Sequence, residues 1–380
     1  MSQDQCPEFL RPRLRLFISA DIVGSTALKQ SRGPIDTSDI KKHYAWFSAI
    51  QGFYVVSRNA FITRWRETEA QWPDDEDCFG DEPKLWKTIG DEVIFEKTLT
   101  DHRQLAVTLQ CWISAVEEMR AFVKGQNPSL DIKCSAWLAG FPVRNKEVVI
   151  SYTDEPSDPD DYYKASGLLL NQHYEDPTSS DLAIDYVGPS IDIGFRVGSQ
   201  STPRKFVLSV GIPYILALTS PTQSKLIGDF PIFYDGSKPL KGVLGGVSYP
   251  IFWIDMSENH SVAYHEDRLT GSKAAARDDI RRFCDAFYDE NSVYTHRPFI
   301  TAPDEQQISL KPLWWDELHG NLVKNFYLPD ASSGLEPPGV ALETDKPIGD
   351  DLWPTVLKTF LAAVRSAQEN RESEKDGGDE

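Results

Sequence analysis

Cysteine is scarce in this chain: five in 380 residues, at positions 6, 78, 111, 134 and 284. The number is odd and the spacing fits no metal cage, which argues against a disulfide scaffold and for a reducing compartment. Basic charge is also short. Against 58 acidic side chains stand 39 Lys and Arg, a formal net charge of −19, which excludes a protein that tracks nucleic-acid phosphates by bulk charge. No apolar run reaches the roughly 18 residues of a membrane span, and Met1 to Pro12 holds no apolar core of a secretory signal. The expected location is therefore the cytoplasm, with no membrane and no nucleic acid as partner. The seven histidines, at 43, 102, 173, 259, 265, 296 and 319, are scattered without a ligand partner at helical spacing, against a His-built metal centre. No internal repeat is found.

Aromatic side chains are plentiful: ten Trp, fourteen Tyr and nineteen Phe in a chain that is 40% hydrophobic. A large core can form, as one big domain with additions or as two domains. Leu14 to Ala20 reads as a strand, and Ser38 to Arg66 carries aromatics at three and four spacing, predicting a long or paired helix. Residues 67–83 are acidic with two prolines and read as a surface insertion. Lys84 to Lys97 reads as a hairpin, His102 to Val123 as an amphipathic helix, and Ile132 to Val143 as a strand. The Asp-, Pro- and Tyr-rich stretch 151–180 predicts a long loop, followed by a helix near 191–197 and strands at 205–210 and 247–254. Strand, helix, two strands, helix, strand is the order of a ferredoxin-like βαββαβ sheet, here with extra strands. Beyond it, residues 257–367 are expected to form a C-terminal extension with helices at 275–288 and 352–367. Residues 368–380 are expected to form a disordered acidic tail.

Two segments carry the chemistry. Phe17-Ile18-Ser19-Ala20-Asp21-Ile22-Val23-Gly24-Ser25-Thr26 is an apolar strand that breaks at Asp21 into a small-residue loop, whose backbone N–H groups can meet phosphate while the carboxylate meets a cation. Lys87-Thr88-Ile89-Gly90-Asp91-Glu92-Val93-Ile94-Phe95 puts Asp91 at a hairpin tip. If the two strands are neighbours, the carboxylates converge at one sheet edge, as in two-metal phosphoryl-transfer sites. Taken singly, the first piece equally suits a strand end with a helix N-cap, and Gly90-Asp91 is more often a plain turn.

These segments resemble the class III nucleotidyl cyclases, which convert a nucleoside triphosphate to a 3′,5′-cyclic monophosphate and pyrophosphate. The resemblance covers about residues 13–256, so that residues 1–256 are expected to be the catalytic domain, of mixed α/β (α+β) class. It makes Asp21, the Ile22 carbonyl and Asp91 ligands of two divalent cations, Mn²⁺ or Mg²⁺, and gives Val23, Gly24, Ser25 and Thr26 to phosphate. Ala136-Trp137-Leu138-Ala139-Gly140-Phe141-Pro142-Val143 is similar to the family's glycine-bearing strand. Asp185-Tyr186-Val187-Gly188-Pro189-Ser190-Ile191-Asp192-Ile193-Gly194-Phe195-Arg196 is similar to its run from base-selecting aspartate to transition-state arginine. Leu240-Lys241-Gly242-Val243 resembles the motif whose lysine holds the terminal phosphates. The implied roles are Lys87 and Asp185 for the base, Arg196 for the transition state and Lys241 for phosphate. Asp192 stands where the family usually has Asn orienting the ribose.

Among the branches of the family the chain looks most like the pyrimidine cyclases of bacterial Pycsar anti-phage systems. The resemblance implies UTP as substrate, cyclic UMP as a signal to a separate effector, and a homodimer whose two sites draw residues from both chains. Lys87 as donor and Asp185 as acceptor suit adenine and cytosine, and suit uracil with partners exchanged, so cytidylate and adenylate cyclases stay open. A smaller base would need a filled pocket, for which Trp137, Tyr186 and Phe195 are candidates. No Gly-Gly-acid-acid-Phe hairpin of a diguanylate cyclase is present. A catalytically silent, cyclase-like regulatory dimer is the alternative of another class.

Overall fold

The computed structural model describes residues 6–30, 44–72, 78–151, 162–177, 182–219, 230–257, 261–300 and 311–327. The chain begins with β1 (Arg13–Val23), the short α1 (Ser25–Gln30), the long α2 (Ala45–Ala70), the hairpin β2 (Lys84–Ile89) and β3 (Glu92–Leu99), α3 (Arg103–Gln126) and β4 (Asp131–Phe141). β3 and β4 both pair antiparallel to β1. The resulting order β2-β3-β1-β4 is the ferredoxin-like arrangement that the element order predicts.

The additions follow. β5 (Lys146–Ser151), α4 (Tyr162–Glu175), β6 (Leu182–Val187) and α5 (Pro189–Gly198) precede β7 (Lys205–Leu208), which joins β4 in parallel. After α6 (Gly211–Leu218), the antiparallel strands β8 (Ile232–Lys238) and β9 (Tyr249–Asp255) complete a seven-stranded sheet, with β9 against β7. α7 (Val262–Thr270), α8 (Arg277–Glu290) and α9 (Leu313–Tyr327) come last. By contacts, the described residues up to Phe326 form a first compact unit. Ile280, Cys284, Phe287 and Tyr288 of α8 belong to the main core, so much of the expected extension packs as part of the first unit. The predicted helix at 352–367 and the tail at 368–380 lie outside the described residues.

The sheet is buried on both faces, and the two-residue period of β1 divides its side chains between two cores. Leu14, Leu16, Ile18, Ala20 and Ile22 enter the large core, which also holds Phe53, Phe61 and Trp65 of α2 and Trp112 of α3. There Phe61 meets Trp112 edge-on with ring centroids 4.9 Å apart, and truncating such an aromatic to Ala costs about 3–5 kcal/mol. The opposite face carries Phe17, Ile94, Trp137, Ala139 and Phe141, packed with Tyr186 of β6 and Ile191 of α5. A Cβ on Gly194 would stand 2.3 Å from the Trp137 indole, so glycine lets α5 lie directly on the sheet.

Two local expectations are corrected. The predicted loop 151–180 contains α4; its acidic, Pro-bearing first half masks a helix that buries only Gly167 and Leu170, too narrow a stripe to read as a period. In the 67–83 surface insertion, Cys78 and Phe79 are buried, Phe79 against Trp65 at 5.6 Å. In α9, Trp315 is buried and its neighbour Trp314 is 42% exposed.

Candidate active site

Asp21 and Asp91 meet at one corner of the sheet. β1 delivers Asp21 opposite Glu92 of β3 and Lys133 of β4. The β2–β3 connection is the two residues Gly90-Asp91, and Gly90 has φ +66°, a left-handed conformation that favours glycine at the first position of a tight hairpin. The Ile22 N–H donates to the Asp91 carbonyl at 3.4 Å, and the Tyr54 hydroxyl donates to the Gly90 carbonyl. The tip is thus tied to the end of β1 on one side and to α2 on the other.

Each aspartate has an ammonium beside it: Lys133 Nζ lies 2.9 Å from Asp21 Oδ2, and Lys29 Nζ 3.2 Å from Asp91 Oδ1. The buried Ser25 hydroxyl donates to Asp91 Oδ2. Burial pushes the Asp21 carboxyl above its ordinary pKa, Lys133 pulls it back and the neighbouring Asp91 raises it again. Glu92 is raised for the same first reason, opposed by a hydrogen bond from Ser19 and reinforced by Asp21 and Asp91. Carboxylates this close favour protonation or a cation.

Among the described residues no group of three or more His, Cys, Asp or Glu forms a ready cage for a metal. Two carboxylates with a backbone carbonyl are nonetheless a fitting donor set for Mg²⁺ or Mn²⁺, hard cations that bind through one or two carboxylates and complete their shell with substrate phosphates and water. The tie between the end of β1 and the hairpin tip, Ile22 N–H to the Asp91 carbonyl, which brings the two carboxylates to one corner, is the observation that supports the fit.

Lys87 and Asp185 also come together, from β2 and β6: Lys87 Nζ donates to Asp185 Oδ1 at 2.7 Å, and the ammonium lies 4.0 Å from the Trp86 ring centroid. The Tyr186 N–H donates to the same Asp185 oxygen at 2.9 Å. Both side chains stay about one-third exposed, 31% and 39%. Three ammonium donors and a carboxylate's several lone pairs leave each partner capacity for a ligand edge while the pair persists.

Arg196 and Asp192 stand one turn apart on the exposed side of α5, and neither forms an ion pair among the described residues. Lys241 is exposed in the turn before β9, next to Gly242. Val23 ends β1, Gly24 alone forms the turn into α1, and Thr26 is exposed on α1. Ser25, expected on phosphate, donates its hydroxyl to Asp91.

Of the proposed pocket fillers, Trp137 and Tyr186 are core residues and Phe195 is half-buried against Trp86 and Trp137, at 6.4 and 5.4 Å. Sequence reasoning missed Lys29, Lys133, Glu92 and Trp86. Trp86 adjoins Lys87 in the chain and could have been found; Lys133 needed the β1–β4 register.

No family model and no curated protein matches this sequence. Among solved structures it is similar to the adenylyl cyclase CyaB from P. aeruginosa, with TM-score 0.38 and 10% identity over 66% of this chain and 98% of that one. It is also similar to the guanylate cyclase domain of RhGC from Catenaria anguillulae in complex with GTP, with TM-score 0.36 and 12% identity over 64% and 97%. The guanylyl cyclase Cya2 gives 0.35 and 12% over 70% and 98%. At these scores the likeness assigns neither substrate nor mechanism.

Proposed function

We propose that this protein is a metal-dependent nucleotidyl cyclase acting on a pyrimidine nucleoside triphosphate, UTP before CTP, to give the 3′,5′-cyclic monophosphate and pyrophosphate. The observation that carries the reading is the meeting of Asp21 and Asp91, distant in sequence, at one corner of the sheet, where the Ile22 N–H holds the Asp91 carbonyl and Ser25 holds the Asp91 carboxylate. Two divalent cations bound there would supply Lewis acidity to the ribose 3′-hydroxyl and neutralise phosphate charge.

The chain's own residues do the rest. Asp21, Asp91 and the Ile22 carbonyl hold the cations. Lys87 and Asp185 receive the Watson–Crick edge of the base, prepaired at 2.7 Å. Arg196, permanently charged and forked, takes the oxygens of the α-phosphate as negative charge grows in the in-line displacement. Lys241 faces the departing pyrophosphate as a point charge, Asp192 orients the ribose, and the backbone at Val23, Gly24 and Thr26 receives phosphate. Arg196 and Asp192 lack ion-pair partners among the described residues, which supports their use across a homodimer interface, where a twofold axis makes two equal sites.

The pyrimidine preference rests on the resemblance to the Pycsar branch and is supported by the aromatic wall of Trp86, Tyr186 and Phe195 beside Lys87 and Asp185. The product would then signal to a separate effector in anti-phage defence. A second reading, adenylate cyclase, is favoured by the Lys87–Asp185 pair itself, whose donor and acceptor match adenine. Purified protein with Mn²⁺ and each of ATP, GTP, CTP and UTP, with products separated against cyclic standards, decides between them. Cyclic UMP is expected; cyclic AMP from ATP alone would replace the pyrimidine reading with the adenylate one, and no product from any triphosphate would favour the silent regulator.

A further inference from the structure

The two aspartates already have cations on them. Lys133 is the cross-strand partner of Asp21 in the β1–β4 ladder and sits 2.9 Å from it, and Lys29, in the last turn of α1, sits 3.2 Å from Asp91. All four side chains are between 21% and 33% exposed, so neither ion pair is sealed. The groups facing this corner are three carboxylates, Asp21, Asp91 and Glu92, and the two ammoniums. A metal ion binding Asp21 through the oxygen that Lys133 touches would stand next to a like charge, and one of the two must leave.

We propose that Lys133 and Lys29 are resident counter-cations that occupy the metal positions of the nucleotide-free chain and pass to the phosphates of the triphosphate when metal and nucleotide arrive together. The inference rests on the metal-site reading above. Lysine is suited to such an exchange, because its charge is a point on a flexible four-carbon stem with three donors, so the same group can leave one carboxylate and meet a phosphate oxygen without the backbone moving. The near balance of charge weakens the pull of the corner on free cations. A triphosphate relieves the competition by drawing the ammoniums away, so metal and nucleotide each strengthen binding of the other, and by linkage equally. Lys133 and Lys29 are thus positioning residues for the triphosphate.

The test is Mn²⁺ binding to the full chain, read from the electron paramagnetic resonance of free Mn²⁺, first without nucleotide and then with a 3′-deoxy triphosphate that cannot cyclise. Lys133→Met and Lys29→Met are each expected to tighten nucleotide-free Mn²⁺ binding about fivefold, on the scale of a partly exposed ion pair, and to weaken binding of the triphosphate. A merely structural role would not move the two affinities in opposite directions. Lys133→Arg, which keeps the charge, should retain the wild-type Mn²⁺ affinity. Mn²⁺ affinity that is unchanged or lower in both Met variants, while Asp21→Asn and Asp91→Asn lose Mn²⁺, would overturn this inference alone. If the Asn variants bind Mn²⁺ as the wild type does, the metal-site reading falls and this inference with it.

Discussion

β1 carries ion pairs near both of its ends, and the two sets are built for different purposes. At the start of the strand, Arg15 reaches Glu96 at 2.7 Å and Glu147 at 2.7 Å, with Thr98 and Tyr174 filling its remaining donors. The exposures of these charged side chains are 8%, 10% and 2%. At the far end Asp21 and Asp91 each hold one lysine and keep a quarter or so of their surface in water. A buried network with every donor answered has one arrangement and large costs for any other. An open pair of flexible side chains can exchange partners cheaply. The same strand thus fixes the clamp between β5, α4 and the sheet at one end and leaves exchangeable charge at the other.

The largest effect expected is at the open end. Asp21→Ala and Asp91→Ala should each lower turnover by about 10³-fold or more, the scale of losing metal-borne transition-state stabilisation. Asp21→Asn should do the same without lowering Tm. Because burial raises the Asp21 pKa in the folded state, the ionised carboxylate costs stability as pH rises through that value, an amide carries no such cost, and Lys133 is open enough to reach water. Arg15→Ala sets the contrast: it strands Glu96 and Glu147 and should destabilise by about 3–5 kcal/mol, read in denaturant unfolding, with kcat little changed in the protein that remains folded. Asp21→Asn destabilising as much as Arg15→Ala would erase the distinction between the two ends.

Next in size is Arg196→Ala, expected to lower kcat by roughly 3–4 kcal/mol of transition-state stabilisation with little change in KM. Mixing Arg196→Ala chains with Asp91→Ala chains should recover part of the activity if each site draws on two chains. No recovery in a verified mixed dimer would confine the site to one chain. The smallest effect concerns pH. Burial lowers Lys97 to about 8 from the ordinary 10.5, so its stabilising share is complete above the unfolded value and is lost as pH falls through about 8. Stability should therefore rise between pH 7 and 10 more steeply in the wild type than in Lys97→Met, measured by urea unfolding at each pH.

Much of this is legible in the sequence where the chemistry is local. Asp91 sits beside Gly90 in a hairpin and announces its own turn, and the order of elements gives the sheet. Asp21, where the apolar run is expected to break into a loop, lies within β1, paired with Glu92 and Lys133, and the strand runs on to Val23. What is not legible depends on register or on narrow burial. Nothing near Lys133 marks it until β1 and β4 are aligned, and then it lies directly across from Asp21. Arg15, Glu96 and Glu147 read as three unrelated charges until β1 and β3 are aligned and β5 is folded over them. α4 and the β5–β6 pair are small elements with little apolar surface of their own, and the acidic residues between them dominate the composition. Lys87 and Asp185 fall between these cases: the residues could be named, but their pairing needed the fold.

The most direct measurement follows UTP with the purified protein and Mn²⁺ by ³¹P nuclear magnetic resonance, alongside Asp21→Ala. The account predicts one cyclic monophosphate and one pyrophosphate per UTP consumed, formed by the wild type only when the metal is present, and no turnover by the variant. Release of inorganic phosphate or a linear monophosphate in place of that pair, or equal turnover by Asp21→Ala, would contradict it.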